Sequence, residues 1–237
     1  MIMDHSAHIG IAALESPKAQ RVVDARGLLM PFALLAEAAF SHFVARCACP
    51  QHYRVFLEQT LFYVSETVPT LSRVAEENPL HPLSQELLNL AREEIGHDGM
   101  IHRDLEQLNC PASIIPISPF LIEYVQRARS LPTGMEGVSL LCGDIVAMEG
   151  YPPTKAGVEW LAKQFQVSLI SCTALLEHVS ADAVHGPLAF KRLEHPSIDP
   201  MLAIGRAIET LRCFTEHWGW LTAQCGMPPS KSFVRQK

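Results

Sequence analysis

His178-Val-Ser-Ala-Asp182-Ala-Val-His185 sets two imidazoles around a carboxylate at intervals of four and three residues. With 3.6 residues per helical turn, all three side chains share one helix face. The surrounding residues predict a helix over 168–185, ended by Gly186-Pro187. The three-residue spacing of acid and imidazole occurs once before, in Glu94-Ile-Gly-His97. That motif lies in a helix predicted over 84–108, opened by Pro82 and Ser84 with Glu86 in its first turn. Each pair has a lone carboxylate upstream. Glu58 precedes Glu94 by 36 residues, and Glu149 precedes Asp182 by 33.

Away from these motifs the same helical periodicity recurs. Apolar residues follow three–four spacing almost throughout, and alternating Val-rich runs between turn dipeptides do not occur. Further helices are predicted at 30–48, opened near Pro31, and at 51–67, 119–130, 136–149, 154–166 and 198–225. Their short separators predict an all-α multi-helix bundle folded as one domain, residues 28–237, behind an N-terminal extension at 1–27. The linker holding Pro111, Pro116 and Pro119 divides the domain into two similar halves, each with one Glu and one acid-x-x-His pair.

Composition narrows the function classes. Of 237 residues, 48% are hydrophobic and 19% charged, which excludes a disordered chain. Lys and Arg number 19 against 25 Asp and Glu, a net charge of -6 without a basic run, so neither a nucleic acid nor an anionic membrane is an expected partner. Apolar stretches such as Val138 to Met148 are interrupted by residues such as Gly143 and Asp144, which predicts no bilayer-spanning segment. The first ten residues carry Asp4, His5 and His8 rather than a basic and then apolar leader. The seven cysteines are odd in number with no CxxC pair, as in a reduced, cytoplasmic protein.

Eleven histidines among 25 acids give about one acid-x-x-His pair by chance, so the pairs alone decide little. The repeated spacing and the added His178 carry the weight. In carboxylate-bridged dinuclear bundles, two helices give a Glu each and two more give Glu-x-x-His. Carboxylates can bridge two ions, and neutral imidazoles suit Fe(II). Glu58, Glu94, Glu149 and Asp182 together carry the charge that two divalent ions cancel. Duller roles compete. Glu93 and Glu94 fit a solvated helix face, Asp182 and His185 a helix-end pair, and His178 a core histidine. Glu149 could simply end its helix on the surface. Glu93 rivals Glu94 as a ligand, and Glu66 rivals Glu58. His102 lies about 140° round from His97 and is set aside.

His178-x3-Asp182-x2-His185, some thirty residues after Glu149, resembles the metal-binding signature of the heme-oxygenase-like diiron oxidases and oxygenases. These share a helical fold with TenA-type thiaminases, PqqC and heme oxygenase itself. The resemblance spans residues 30 to 225. It implies a heme oxygenase-like bundle in which Glu58, Glu94, His97, Glu149, His178, Asp182 and His185 hold two iron ions, or manganese. It also implies a homodimer acting with O2 on a small organic substrate. A metal-free TenA-like hydrolase is the alternative, with Cys142 as nucleophile and Glu216 as its carboxylate, although Val146 stands where that pattern favours Tyr. A non-catalytic metal-binding protein is a third. Heme oxygenase chemistry itself would need His42 or His52 as a proximal ligand, and a glycine-rich distal helix that is not evident.

Overall fold

A computed structural model describes residues 17–225 apart from Pro152, with side chains from Ala25 onward. These residues form ten α-helices and no strand. In order they are α1 (Pro17–Arg46), α2 (Pro50–Val64), α3 (Thr67–Glu77), α4 (Ser84–Glu93), α5 (His97–Gln107), α6 (Pro119–Arg129), α7 (Met135–Glu149), α8 (Lys155–Phe165), α9 (Thr173–Arg192) and α10 (Pro200–Cys225). A short 3-10 turn, Leu169–Cys172, leads into α9.

Local chemistry explains most boundaries. Pro50 and Pro119 occupy the first positions of α2 and α6, where a missing N–H is harmless. The Thr154 hydroxyl caps α8 by accepting from the Gly157 N–H at 3.1 Å. Helix α9 takes its cap from another helix. The fully buried Asp104 of α5 accepts from the N–H groups of Thr173 and Ala174 at 3.1 and 2.9 Å. That contact ties the start of α9 to α5 and thereby sets the height of the histidines that both helices carry.

Several helix ends differ from the sequence reading, each for a physical reason. Helix α1 begins at Pro17 and contains Pro31, so part of the expected extension belongs to the first helix. The rest of it, with His5 and His8, lies outside the described residues. The predicted 51–67 helix ends at Val64, and α3 follows it with Leu71, Val74 and Ala75 buried. The predicted 84–108 helix is broken where Gly96 adopts φ +96°. In the other direction, α9 continues through Gly186-Pro187 to Arg192. An internal proline removes one helical hydrogen bond and costs about 3 kcal/mol. Burial of Ala189, Phe190 and Arg192 beyond it offsets that.

Two apolar cores form. In one, Leu29 of α1, Leu71 of α3, Leu87 of α4, Val138 of α7, Phe190 of α9 and Ala203 of α10 pack together. In the other, Phe43, Tyr53, Ile101, Phe165 and Trp218 join α1, α2, α5, α8 and α10. Each buried Val, Leu, Ile or Phe among them contributes about 1.5–3 kcal/mol. Helices α7 and α10 approach closely at Gly143, where a Cβ would lie 2.2 Å from the Ala203 carbonyl oxygen. Helix α1 lies along α10. Its segment Ala25–Arg46, mean hydropathy 1.6, is long and apolar enough to cross a membrane by length and composition, contrary to the sequence expectation. Only one side of it packs into the bundle. Leu28, Leu34 and Leu35 are more than half exposed.

Candidate metal centre

The helix break at Gly96 builds the first half of the site. Glu94 closes α4 and His97 opens α5, and Glu94 Oε2 lies 2.8 Å from His97 Nδ1 with both residues buried. The pair was expected along one continuous helix face and instead meets across a turn. From α9, His178 brings its ring to 4.8 Å from that of His97, edge to face, and its Nδ1 to 3.4 Å from Asp182 Oδ1. His185, two turns on from His178, faces the α4 end. There its Nε2 lies 3.0 Å from Glu93 Oε2. Helix α7 supplies Glu149 at its last residue.

Glu94, Glu149 and His185 converge so that one ligand atom from each lies within 4.8 Å of the others. The electrostatics of the cluster are those of surplus negative charge. Burial pushes the Glu149 carboxyl up to about 8, with Glu94, Asp182 and Glu93 adding to the rise and Arg192 opposing it. Burial would also raise Glu94, but the His97 hydrogen bond and the charges of His97, His178 and His185 hold it below the usual range. The hydrogen bond to Glu94 in turn raises His97. Glu149 Oε2 and His185 Nδ1 are buried with no hydrogen-bond partner. Orphaned carboxylate and imidazole atoms in one buried spot, beside further acids, are the donor set a divalent cation requires.

The path of the chain has a counterpart. A crystal structure of a domain of unknown function from Shewanella denitrificans, described as having a heme oxygenase-like fold, matches with a TM-score of 0.61. The match covers 91% of this chain and 92% of that one at 13% identity. The fold is heme oxygenase-like. No protein-family model and no curated protein sequence matches the chain. At so low an identity the likeness concerns the fold and carries no residue roles.

Within this heme oxygenase-like bundle, six of the seven residues picked from the sequence gather in one region: Glu94, His97, Glu149, His178, Asp182 and His185. Glu58 is the exception. Its carboxylate accepts from Arg54 Nε at 2.8 Å and from the Ser113 N–H at 3.3 Å, which ties α2 to the 108–118 linker. Its rival Glu66 is bonded to Arg129. Glu93, weighed as a rival to Glu94, contributes beside it as the partner of His185. Sequence reasoning passed over Arg192. This buried guanidinium donates to Glu86 at 2.8 Å and stands 3.8 Å from Glu149 Oε2. The available signal was its place seven residues after His185, on the same helix face.

Beside the cluster lies a cavity of about 900 Å3, which Glu94, Glu149, His178 and Asp182 help to line. It runs between the two cores, with Leu71, Leu141 and Ile145 from one and Phe56, Leu161 and Trp218 from the other. The alternatives read from the sequence find no such setting. Cys142 is fully buried in the first core, its thiol pushed up to about 12 by burial, and it does not line the cavity. Glu216 pairs loosely with Arg212 at the surface. Of the proposed heme ligands, His42 is exposed and His52 contacts the Cys49 sulfur at 3.1 Å.

Proposed function

We propose that this protein is a metal-dependent oxidase or oxygenase that holds two iron ions, with manganese the other candidate, and uses O2 on a small organic substrate. The observation that carries the proposal is the convergence of Glu94, Glu149 and His185, with buried, unpartnered atoms on Glu149 and His185, at the wall of a large cavity. Glu94, His97, Glu149, His178, Asp182 and His185 would hold the metal, and Glu93 takes the place first given to Glu58. Bound iron supplies the redox chemistry that activates O2, which no side chain provides.

The protein contributes geometry and surroundings. Carboxylates from α4, α7 and α9 balance the charge of two divalent ions, leaving little net charge in a buried place. The Glu94 bond fixes the ring of His97, and Asp182 does the same for His178. The apolar cavity wall limits water around the bound substrate. Anaerobic titration with Fe(II), followed by elemental analysis and O2 uptake with a chemical reductant, tests the reading. About two metal ions per chain are expected, with His185→Ala losing most of the binding. Wild-type protein that binds neither Fe(II) nor Mn(II) would refute it.

A further inference from the structure

We propose that the cavity is a binding site for a largely apolar molecule that is neutral or basic, and that its protein wall offers no seat to an anionic group. The proposal rests on the oxidase reading for the fate of that molecule but not for its binding. At about 900 Å3 the cavity is near the upper end of small-molecule sites. No Lys or Arg lines it. Apart from three tyrosines, its ionisable lining consists of His178 and six acids, Glu37, Glu66, Glu94, Asp144, Glu149 and Asp182.

The nearby cations are already engaged. Arg206 forms a bidentate pair with Asp144, Arg129 is bonded to Glu66, and Arg192 is held by Glu86 outside the lining. A carboxylate or phosphate entering this space would lose its hydration and meet six acids against a single imidazole, with no Lys or Arg to offset them. An apolar body instead gains about 25 cal/mol for each Å2 it buries. The wall also carries hydroxyls, those of Ser41, Thr67, Thr70 and three tyrosines among them. Tyr151 lines the cavity, and its hydroxyl is buried without a partner. That hydroxyl suits a neutral carbonyl, hydroxyl or amine group.

The entrance has the same character. The lining residues with exposed side chains include Met30, Leu34 and Glu37 of α1 and Trp160 of α8, so the cavity opens between these helices. The other exposed lining residues are Ser41, Pro153, Thr154 and Gly157, so Glu37 is the one charged residue among the exposed lining. An apolar molecule can therefore meet matching surface before it enters, and an anion meets Glu37.

Binding to metal-free, full-length protein isolates the wall from any metal. Decanol, decylamine, decanoate and decyl phosphate share one chain and differ in the head group. Their dissociation constants can be read from the fluorescence of Trp160 and Trp218, below the concentration at which each forms micelles. Decanol and decylamine should bind at least about tenfold more tightly than the two anions. Ala33→Phe, which intrudes from the α1 wall, should weaken decanol by at least about tenfold while leaving Fe(II) titration intact. If that variant fails to fold, Ala36→Phe tests the same wall. Anions that bind as tightly as decanol, or a failure of all four ligands to bind, would overturn the proposal. Selective decanol binding in protein that takes up no Fe(II) would uphold this inference and overturn the oxidase reading alone.

Discussion

Glu94 and His97 meet at 2.8 Å across a break in the backbone, and Gly96 makes the break possible. At φ +96° an L side chain is strained, although a Cβ there would touch nothing within 4 Å. The penalty of Gly96→Ala is therefore conformational, about 1–2 kcal/mol. For a chain of this length that corresponds to a fall in Tm of about 2–8 °C. Fe(II) affinity should weaken as well, because relaxing the strain moves His97 relative to Glu94. Calorimetry and metal titration of the same sample check both effects. An unchanged Tm would show that the turn tolerates a side chain.

Metal should stabilise the folded chain measurably. A ligand at one hundred times its Kd raises stability by about 2.7 kcal/mol when it binds only the native state. Fe(II) or Mn(II) should therefore raise Tm by several degrees. His185→Ala should abolish most of that gain, since it removes the imidazole that joins the α9 stripe to Glu93 and Glu149. Magnesium, a poor partner for imidazole, should give a smaller rise.

Asp144 and Arg206 form a buried bidentate pair at 2.9 Å between α7 and α10, with the Thr210 hydroxyl donating to Asp144 at 2.6 Å. Removing one partner leaves an uncompensated buried charge. Asp144→Ala should cost about 3–5 kcal/mol in urea unfolding. Asp144→Leu combined with Arg206→Met should cost much less than the sum of the single changes. Additive losses would show that the pair acts as two independent groups.

The second half of the site was more legible than the first. His178, Asp182 and His185 lie on an uninterrupted helix, so spacing alone placed them on one face. Glu149 followed from its position before that stripe. Glu94 and His97 were found for a reason that proved incomplete. The helical rule paired them, whereas a left-handed glycine brings them together. Glu58 failed because one turn of α2 gives it Arg54 as a partner, and a linker amide beyond local periodicity completes its bonds. The bundle itself was legible because its apolar spacing is helical nearly throughout. The passage through Pro187 was not, since the burial that sustains it comes from other helices. Arg192 and the cavity were equally hidden, because both depend on which helices become neighbours.

His217 gives the stability of the fold a pH dependence on the acid side. It lies fully buried on α10, its ring centroid 4.3 Å from that of Trp218, and neither ring nitrogen has a hydrogen-bond partner. Burial lowers its pKa from 6.5 to about 3. Between those values the unfolded chain holds a proton at this position that the folded chain does not. Stability therefore falls as pH drops through that window, by up to about 1.4 kcal/mol per pH unit from this residue, and the residue contributes no slope above it. His217→Phe should flatten the acid limb of the stability curve by that amount while holding or raising stability at pH 7, since it buries no unpaired nitrogen. Urea unfolding of both proteins from pH 7.5 to 4 measures the two slopes. Parallel curves would mean that the imidazole is hydrated or finds a proton acceptor in the folded state.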